Sequence, residues 1–326
     1  MRSTGTASLR ARRGGVLCVG FAPAVQRTLV FDRLRRGEVN RARAVFVTVG
    51  GKAVNTALAL VRLGRPAVVA GINGGASGRR IRSWLRAAGV ACAFTPAPQE
   101  SRTCTTVAER VRGTVTELVE EAPAPPRPCL RRFERDVRAC LRRASWAVFG
   151  GAVPAAAPVR FWARLAAAAA RGGVPVLLDS RGSPLLAALR HRPLLVKLNA
   201  DELAQTWDVP CRGGRAIVAA ARRLTSGGAQ WALVTQGAGP AWLVARDGAA
   251  WRVTPPRVRG VRSPVGSGDC VNAGIAHALL AGRPMPEAVR FGLACGTANA
   301  LTWTPADFAP PAARRLARAC RVEPVK

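Results

Sequence analysis

Tyrosine is absent from this 326-residue chain, and histidine and methionine occur twice each. With only His191 and His277 to draw on, neither a histidine metal centre nor a histidine-based catalytic triad can be assembled. The nine cysteines stand singly, with no CxxC pair among them. An odd, scattered set of this kind predicts reduced thiols in a cytoplasmic setting, not a disulfide framework or a zinc site. No apolar run approaches the roughly 20 residues that span a bilayer, so no membrane association is expected. Acidic residues are scarce too: eighteen stand against fifty basic ones, a formal charge of +32. Such a charge attracts nucleic-acid phosphates. Its arginines, however, are spread along the whole chain beside abundant Ala, Gly and Pro, as a GC-rich coding bias produces, and only nonspecific attraction to nucleic acid is expected. Lysine is nearly missing, with Lys52, Lys197 and Lys326 alone among the fifty basic residues. Where arginine has displaced lysine almost everywhere, the two internal lysines mark positions that require a compact, flexible ammonium.

The length suits one large α/β domain. Residues 1–14 are Arg-rich and lack acids, but they are too short and too polar on every side for a transit peptide and read as a disordered tail.

The stretch Ser263-Pro-Val-Gly-Ser-Gly-Asp-Cys-Val-Asn-Ala-Gly274 has the form of a turn that opens a helix. Gly266 and Gly268 let the backbone bend tightly and approach a ligand. Val271, Ile275, Ala278 and Leu279 then recur at helical spacing as far as Gly282. Unpaired N–H groups at such a helix start form a site for a phosphate or a developing oxyanion, and Asp269 sits at its mouth. Two readings stand side by side: Asp269 takes the proton of an acceptor hydroxyl in a phosphoryl transfer, or it merely caps a helix. Upstream, Gly50-Gly-Lys-Ala-Val-Asn55 precedes a second helix with the apolar stripe Val54, Ala57, Leu58 and Val61 and a stop at Gly64, presenting Lys52 and Asn55.

Between these motifs the chain alternates. Val16 to Val19 reads as a first buried strand, left by a loop over residues 20–26. Arg27 to Phe31 and Ala42 to Val49 read as extended segments of a small separate sheet. A strand at Ala67 to Ile72 is followed by a helix over Gly78 to Ala88, and short runs at Cys92 to Thr95, Cys104 to Arg110 and Thr114 to Val119 complete the small sheet. Beyond the stiff Ala122 to Pro128 connection, strands at residues 146–149, 175–179, 194–198 and 232–235 alternate with helices at 130–143, 159–171 and 216–224. That pattern predicts a parallel sheet with helices on both faces. Pro286 to Ala300 and Pro311 to Arg321 read as two closing helices. In Lys197-Leu-Asn-Ala-Asp-Glu202, Asn199 and Glu202 stand three apart at a helix start, a spacing that serves either a capping box or the water shell of Mg²⁺ beside phosphates. Val234-Thr-Gln-Gly237 ends a strand in a turn suited to the wall of a nucleotide site.

Taken in this order, Gly50-Gly-Lys-Ala-Val-Asn55, Lys197 to Glu202, Val234 to Gly237 and Val265 to Gly274 resemble the PfkB family of sugar kinases, over about Val16 to Val322. The segments Phe31 to Arg41 and Thr116 to Glu121 are similar to its phosphosugar branch, which contains 1-phosphofructokinase and tagatose-6-phosphate kinase. The resemblance implies a ribokinase-like three-layer α/β sandwich with a mostly parallel sheet. The kinase domain would span residues 15–322, with lid segments at about 27–49 and 92–119 that also form a homodimer contact. It implies an ATP- and Mg²⁺-dependent phosphotransferase acting on an alcohol group of a hexose phosphate. Asp269 becomes the general base and Gly266, Ser267 and Gly268 the anion hole. Lys52 and Arg102 hold the substrate's phosphate, and Gln26, Gly50, Gly51 and Asn55 line the sugar site. Lys197, Thr235, Gly237 and Asn299, with Asn199 and both motif glycines, face the nucleotide; Asn199 and Glu202 organise Mg²⁺ through water. Three positions depart from the family pattern. Gln26 replaces an Asp that grips sugar hydroxyls, Ala53 replaces a Gly, and Ser267 replaces an Ala. The alternatives are a kinase of an unphosphorylated sugar or nucleoside, and a catalytically idle member that binds nucleic acid or protein.

Overall fold

The computed structural model describes residues 14–325, so the basic tail expected at the N-terminus lies, apart from Gly14, outside the described residues. The first half of the chain runs β1 (Val16–Val19), β2 (Ala24–Phe31), β3 (Ala44–Gly50), α1 (Lys52–Arg62), β4 (Ala67–Gly74), α2 (Gly75–Ala87), β5 (Ala91–Ala97), β6 (Thr103–Glu109), β7 (Thr114–Val119) and α3 (Arg127–Leu141). It continues with β8 (Trp146–Gly150), α4 (Phe161–Arg171), β9 (Val176–Asp179), α5 (Gly182–Leu189), β10 (Leu195–Asn199), α6 (Ala200–Trp207) and α7 (Gly213–Ser226). The last elements are β11 (Trp231–Thr235), β12 (Ala241–Ala245), β13 (Ala250–Thr254), α8 (Ser267–Leu280), α9 (Met285–Ala300), α10 (Pro310–Ala319) and β14 (Arg321–Pro324).

Ten strands form one sheet in the order β14-β13-β12-β11-β10-β9-β8-β1-β4-β5. From β5 to β11 every pairing is parallel, and the β11-β12-β13-β14 end is antiparallel. Side chains of a strand alternate between faces, and β1 feeds both layers. Val16 and Cys18 pack with residues of α1, α2, α8, α9 and α10, whereas Leu17 and Val19 pack with residues of α3 to α7. The second layer is anchored by a buried aromatic group, with Phe21 within 5.4 Å of the Phe133, Phe161 and Trp162 rings. Because β1 is flanked by β4 on one side and β8 on the other, the strand order reverses there, and a crevice opens at the carboxyl ends of the strands. The site lies along that edge.

The four remaining strands form a small sheet, β3-β2-β6-β7, in which β2 and β6 run parallel and the outer pairs antiparallel. Three expectations are corrected. Cys92 to Thr95 belongs to β5 at the edge of the large sheet, because β4, α2 and β5 make a parallel βαβ unit and Phe94 and Thr95 are buried there. The loop assigned to residues 20–26 ends early, and Ala24 to Gln26 already pair with β3. Arg321 closes no helix: α10 stops at Ala319, and Arg321 starts β14, which pairs with β13. The hairpin β12–β13 and the helix α5 carried no sequence signal strong enough to be assigned.

Helices α8 and α9 approach so closely that glycine is required between them. A Cβ on Gly292 would stand 2.6 Å from Ile275 Cγ1 and 2.8 Å from the Val271 carbonyl, and one on Gly274 would stand 2.8 Å from Gly292 Cα. Gly292→Val should therefore destabilise the protein by about 1–3 kcal/mol through overpacking. Urea unfolding followed by tryptophan fluorescence measures this, and an unchanged midpoint would show that the helices separate freely.

Candidate active site

At the end of β9, an otherwise apolar strand, Asp179 is fully buried. Its carboxylate accepts three hydrogen bonds: from Lys52 Nζ on Oδ1 at 2.5 Å, and from Lys197 Nζ and Asn272 Nδ2 on Oδ2, each at 2.7 Å. Burial alone would raise its pKa, but the two ammonium groups and their hydrogen bonds outweigh it and hold the carboxyl well below the usual range. Burial would likewise lower the Lys52 ammonium, yet the carboxylates of Asp179, Glu202 and Asp269 hold it above its ordinary value. Glu202 Oε1 stands 3.5 Å from Lys52 Nζ.

The second carboxylate of the site is tuned in the opposite direction. Asp269 is buried in the first turn of α8 and accepts one bond, from Asn55 Nδ2 at 2.8 Å. Burial pushes it up to about 6, with Asp179 adding to the rise and Lys52, Asn55 and Lys197 opposing it. A carboxylate with that pKa is ionised at neutral pH and is a better base than an exposed one. The backbone before it is shaped by Gly266, the left-handed N-cap residue of α8 with φ +77°, whose Cβ would meet Pro305 at 2.8 Å. Pro264 and Gly266 carbonyls take the Ser267 and Asp269 N–H groups. Among the described residues no acceptor faces the N–H groups of Gly266 and Gly268. Two amides thus remain open beside Asp269 at a helix N-terminus, an arrangement that attracts negative charge. A Cβ on Gly268 would come within 3.1 Å of Lys197 Nζ, so that glycine lets the buried ammonium lie directly under the helix start.

A cavity of about 340 Å³ adjoins this network. Lys52 and Arg102 both line it, together with Phe21 to Pro23, the Gly150 to Ala155 stretch that ends and follows β8, and Glu121 and Ala122 beyond β7.

The model for "pfkB family carbohydrate kinase" matches residues 15–306. The chain belongs to the pfkB family. It is similar to the 1-phosphofructokinase of Rhodobacter capsulatus, 31% identical over 312 residues that cover 95% of this chain and 97% of the relative. Among solved structures it is similar to phosphofructokinase-2 from Escherichia coli in complex with substrates and products. That likeness has a TM-score of 0.85 at 25% identity, covering 94% of this chain and 99% of the other. The ribokinase of Arabidopsis thaliana complexed with ribose and ATP superposes with a TM-score of 0.72 at 19% identity, covering 94% and 99%. The fold is the ribokinase-like α/β fold.

In this pfkB kinase, five of the expected residues come together: Lys52, Lys197 and Glu202 are joined through the Lys52–Asp179 pair, and the Asn55–Asp269 pair lies within the electrostatic reach of both lysines. Gly51, with φ +106°, starts α1 where a Cβ would press on the Ala22 carbonyl at 3.0 Å. Asn199 and Glu202 form the capping box of α6. They share the strand-end edge with Thr235, directly opposite Asn199 on β11, and with Gly237 in the turn that follows. Three residues are engaged otherwise than the resemblance implies, the first being Ser267, whose N–H is taken by the Pro264 carbonyl. Gln26 lies buried within the small sheet against Gly50, its amide donating to Thr106 Oγ1 at 2.9 Å, and like Gly50 and Asn55 it is not among the residues that line the cavity. Asn299 was expected to face the nucleotide. Its amide donates to the Val265 carbonyl and Ser267 Oγ, and its oxygen accepts from Ala306 N, bonds that hold the Gly266 loop. Sequence reasoning missed Asp179, Asn272 and the Gly150 to Ala155 wall. An acid closing an apolar strand and an asparagine beside Val271 in a buried helix were the available signals, because such groups persist only when paired.

The raised pKa of Asp269 has a consequence for stability. Its folded value exceeds its unfolded one, so its contribution is favourable below about pH 4 and is lost as pH rises through about 6. Asp269→Asn, which keeps an acceptor for Asn55, should match the wild type near pH 4 and exceed it by about 1–3 kcal/mol at pH 8. Thermal unfolding across that range measures the difference, and a constant offset would contradict the assignment.

Proposed function

We propose that this chain transfers the γ-phosphoryl group of ATP to a hydroxyl of a sugar that already carries a phosphate, such as fructose 1-phosphate or tagatose 6-phosphate. The observation that carries this reading is the presence of Lys52, at the start of α1, and Arg102, fifty residues on in the segment between β5 and β6, in the wall of one cavity beside Asp269's network. Two cations in one cavity suit a substrate phosphate, which a plain sugar or nucleoside would leave unmatched. The 1-phosphofructokinase name of the Rhodobacter relative supports the same substrate class. Residues 15–322 act in this reading as one kinase domain with the small sheet as its lid, working in the cytoplasm.

Asp269 accepts the proton of the attacking hydroxyl as the new O–P bond forms and the bond to the ADP leaving oxygen breaks. The open N–H groups of Gly266 and Gly268 face the charge on the transferred group. Lys197, beneath Gly268, adds positive charge from below. Asn55 holds Asp269 through Nδ2, while its own Oδ1 is buried without a partner and is free to accept a sugar hydroxyl. Thr235 and Gly237 wall the nucleotide side. A magnesium ion arriving with the nucleotide supplies charge neutralisation at its phosphates. The side-chain oxygens of Asn199 and Glu202, at the start of α6, suit the water shell of such an ion, which they would hold through water. Closure of the lid excludes water and protects ATP from hydrolysis.

ADP release from Mg-ATP should require a phosphorylated sugar in a panel of fructose and tagatose phosphates beside the free sugars, and Asp269→Asn should lower kcat by a factor of 10² or more. Equal turnover of plain sugars would move the reading to the unphosphorylated class. With Asp269 near 6, kcat/KM should fall tenfold per pH unit below about pH 6, and a flat profile down to pH 5 would remove Asp269 as base.

The lid leaves Val45 and Val47 on β3 and Leu118 and Val119 on β7 exposed. Apolar edges of this kind are covered in association, and the reading places a second copy there. Light scattering should give a dimer that Val45→Lys with Val47→Lys converts to a monomer; a monomeric wild type would end this reading.

A further inference from the structure

Residues 98–102 carry the chain from β5 in the large sheet to β6 in the lid, and Arg102 lies at the end of that crossing. Helix α2 begins beside it with no cap of its own. Its N-cap residue is Gly74, where a Cβ would stand 2.2 Å from the Gln99 carbonyl and 2.3 Å from that of Ala97, so the crossing segment lies directly on the helix start. The cap is supplied from that segment: the Glu100 carboxylate accepts the N–H of Ala76 at 3.0 Å and the N–H of Ser77. Gly75, with φ +69°, leaves the room, since its Cβ would overlap the carboxylate. Ser101 completes the attachment. Its N–H donates to the Gly74 carbonyl at 3.0 Å, and its hydroxyl accepts from Gly74 N at 3.1 Å and donates to Asn73 Oδ1 at 2.6 Å. One residue further on, the chain belongs to the lid. The Arg102 carbonyl accepts from Val25 N on β2 at 3.0 Å, and Arg102 Nη1 donates to the Glu120 carbonyl at 3.1 Å, while its Nε is buried without a partner.

We propose that Glu100 is a positioning residue for the substrate phosphate: by welding the crossing segment to the start of α2, it keeps Arg102 in the cavity wall that Lys52 shares. The inference rests on the phosphosugar reading of that cavity. A carboxylate suits the task, because a helix N-terminus favours negative charge, and the Ser77 and Ala76 bonds hold Glu100 below the usual carboxylate range. An unanchored segment would leave the Arg102 guanidinium to follow the lid, and the ordering of its long side chain would then be borne at substrate binding.

The test is a double-mutant cycle of Glu100→Ala and Arg102→Ala, read by steady-state kinetics on the phosphosugar that the substrate panel identifies. Glu100→Ala should raise KM for the phosphosugar about tenfold, with kcat and KM for Mg-ATP changed less than twofold. Arg102→Ala should raise KM at least as much, and the double variant should be no worse than Arg102→Ala alone, as coupled residues require. Glu100→Gln, which retains an acceptor, should shift KM by only about threefold. Hydrogen exchange supplies a readout independent of turnover: the Ser101 and Val25 amides should exchange at least tenfold faster in Glu100→Ala. If Arg102→Ala leaves KM unchanged, the phosphosugar reading of the cavity falls and this inference with it. If Arg102→Ala raises KM while Glu100→Ala does not, or the cycle is additive, or both amides keep their protection, the inference fails alone.

Discussion

A single buried carboxylate determines how the site is built. Asp179 is removed from water, and an ionised group in that position persists only if its partners are close and well aligned. Those partners come from three other elements: Lys52 from α1, Lys197 from β10 and Asn272 from α8. Satisfying one acid therefore sets the relative positions of the two glycine-rich helix starts and the strand between them. The two ammonium groups are held within reach of Asp269 as a by-product of meeting the demand of Asp179. The contrast between the carboxylates follows from the same geometry. Asp179 takes both lysines at hydrogen-bonding distance and stays strongly acidic, while Asp269 takes an amide and is left with a raised pKa.

Much of this was legible beforehand where a residue type was out of place against its background. Lys52 and Lys197 stand out in a chain that uses arginine, and the slender ammonium of Lys197 fits beneath Gly268, while that of Lys52 reaches the buried Asp179. The glycine turn before Asp269 announced a helix start, and the structure places one there. Asp179 was harder to see because its meaning depends on what lies across the sheet. A strand ending in Asp looks the same whether the acid faces solvent or two lysines. Asn199 and Glu202 carry two meanings in the sequence, and the structure contains the capping box; Glu202 also borders Lys52.

The misplacements have a common physical origin. Short extended runs carry the same alternation in either sheet, so Cys92 to Thr95 reads equally well in the small one, although the helix directly before it returns the chain to β4's side. Gln26 reads as the end of the loop that leaves β1, whereas pairing with β3 draws it into the small sheet, where its amide donates to Thr106. Asn299 shows the opposite case: a polar residue near a ligand-binding loop whose bonds hold that loop.

The charge of the reacting centre differs from that of the molecule around it. Two ammonium groups there face three carboxylates, Asp179, Glu202 and Asp269, so the buried network carries no surplus of positive charge, although the chain as a whole carries +32. Anionic reactants are then drawn in by the distant field and gripped by local groups, two separable jobs. Encounter is governed by exposed charges that dissolved ions screen over about 10 Å at 0.1 M, whereas the buried pairs are largely shielded from those ions. Raising ionic strength should thus slow capture far more than it slows the chemical step, which makes the arginine-rich surface an accessory to arrival and leaves turnover to a few interior side chains.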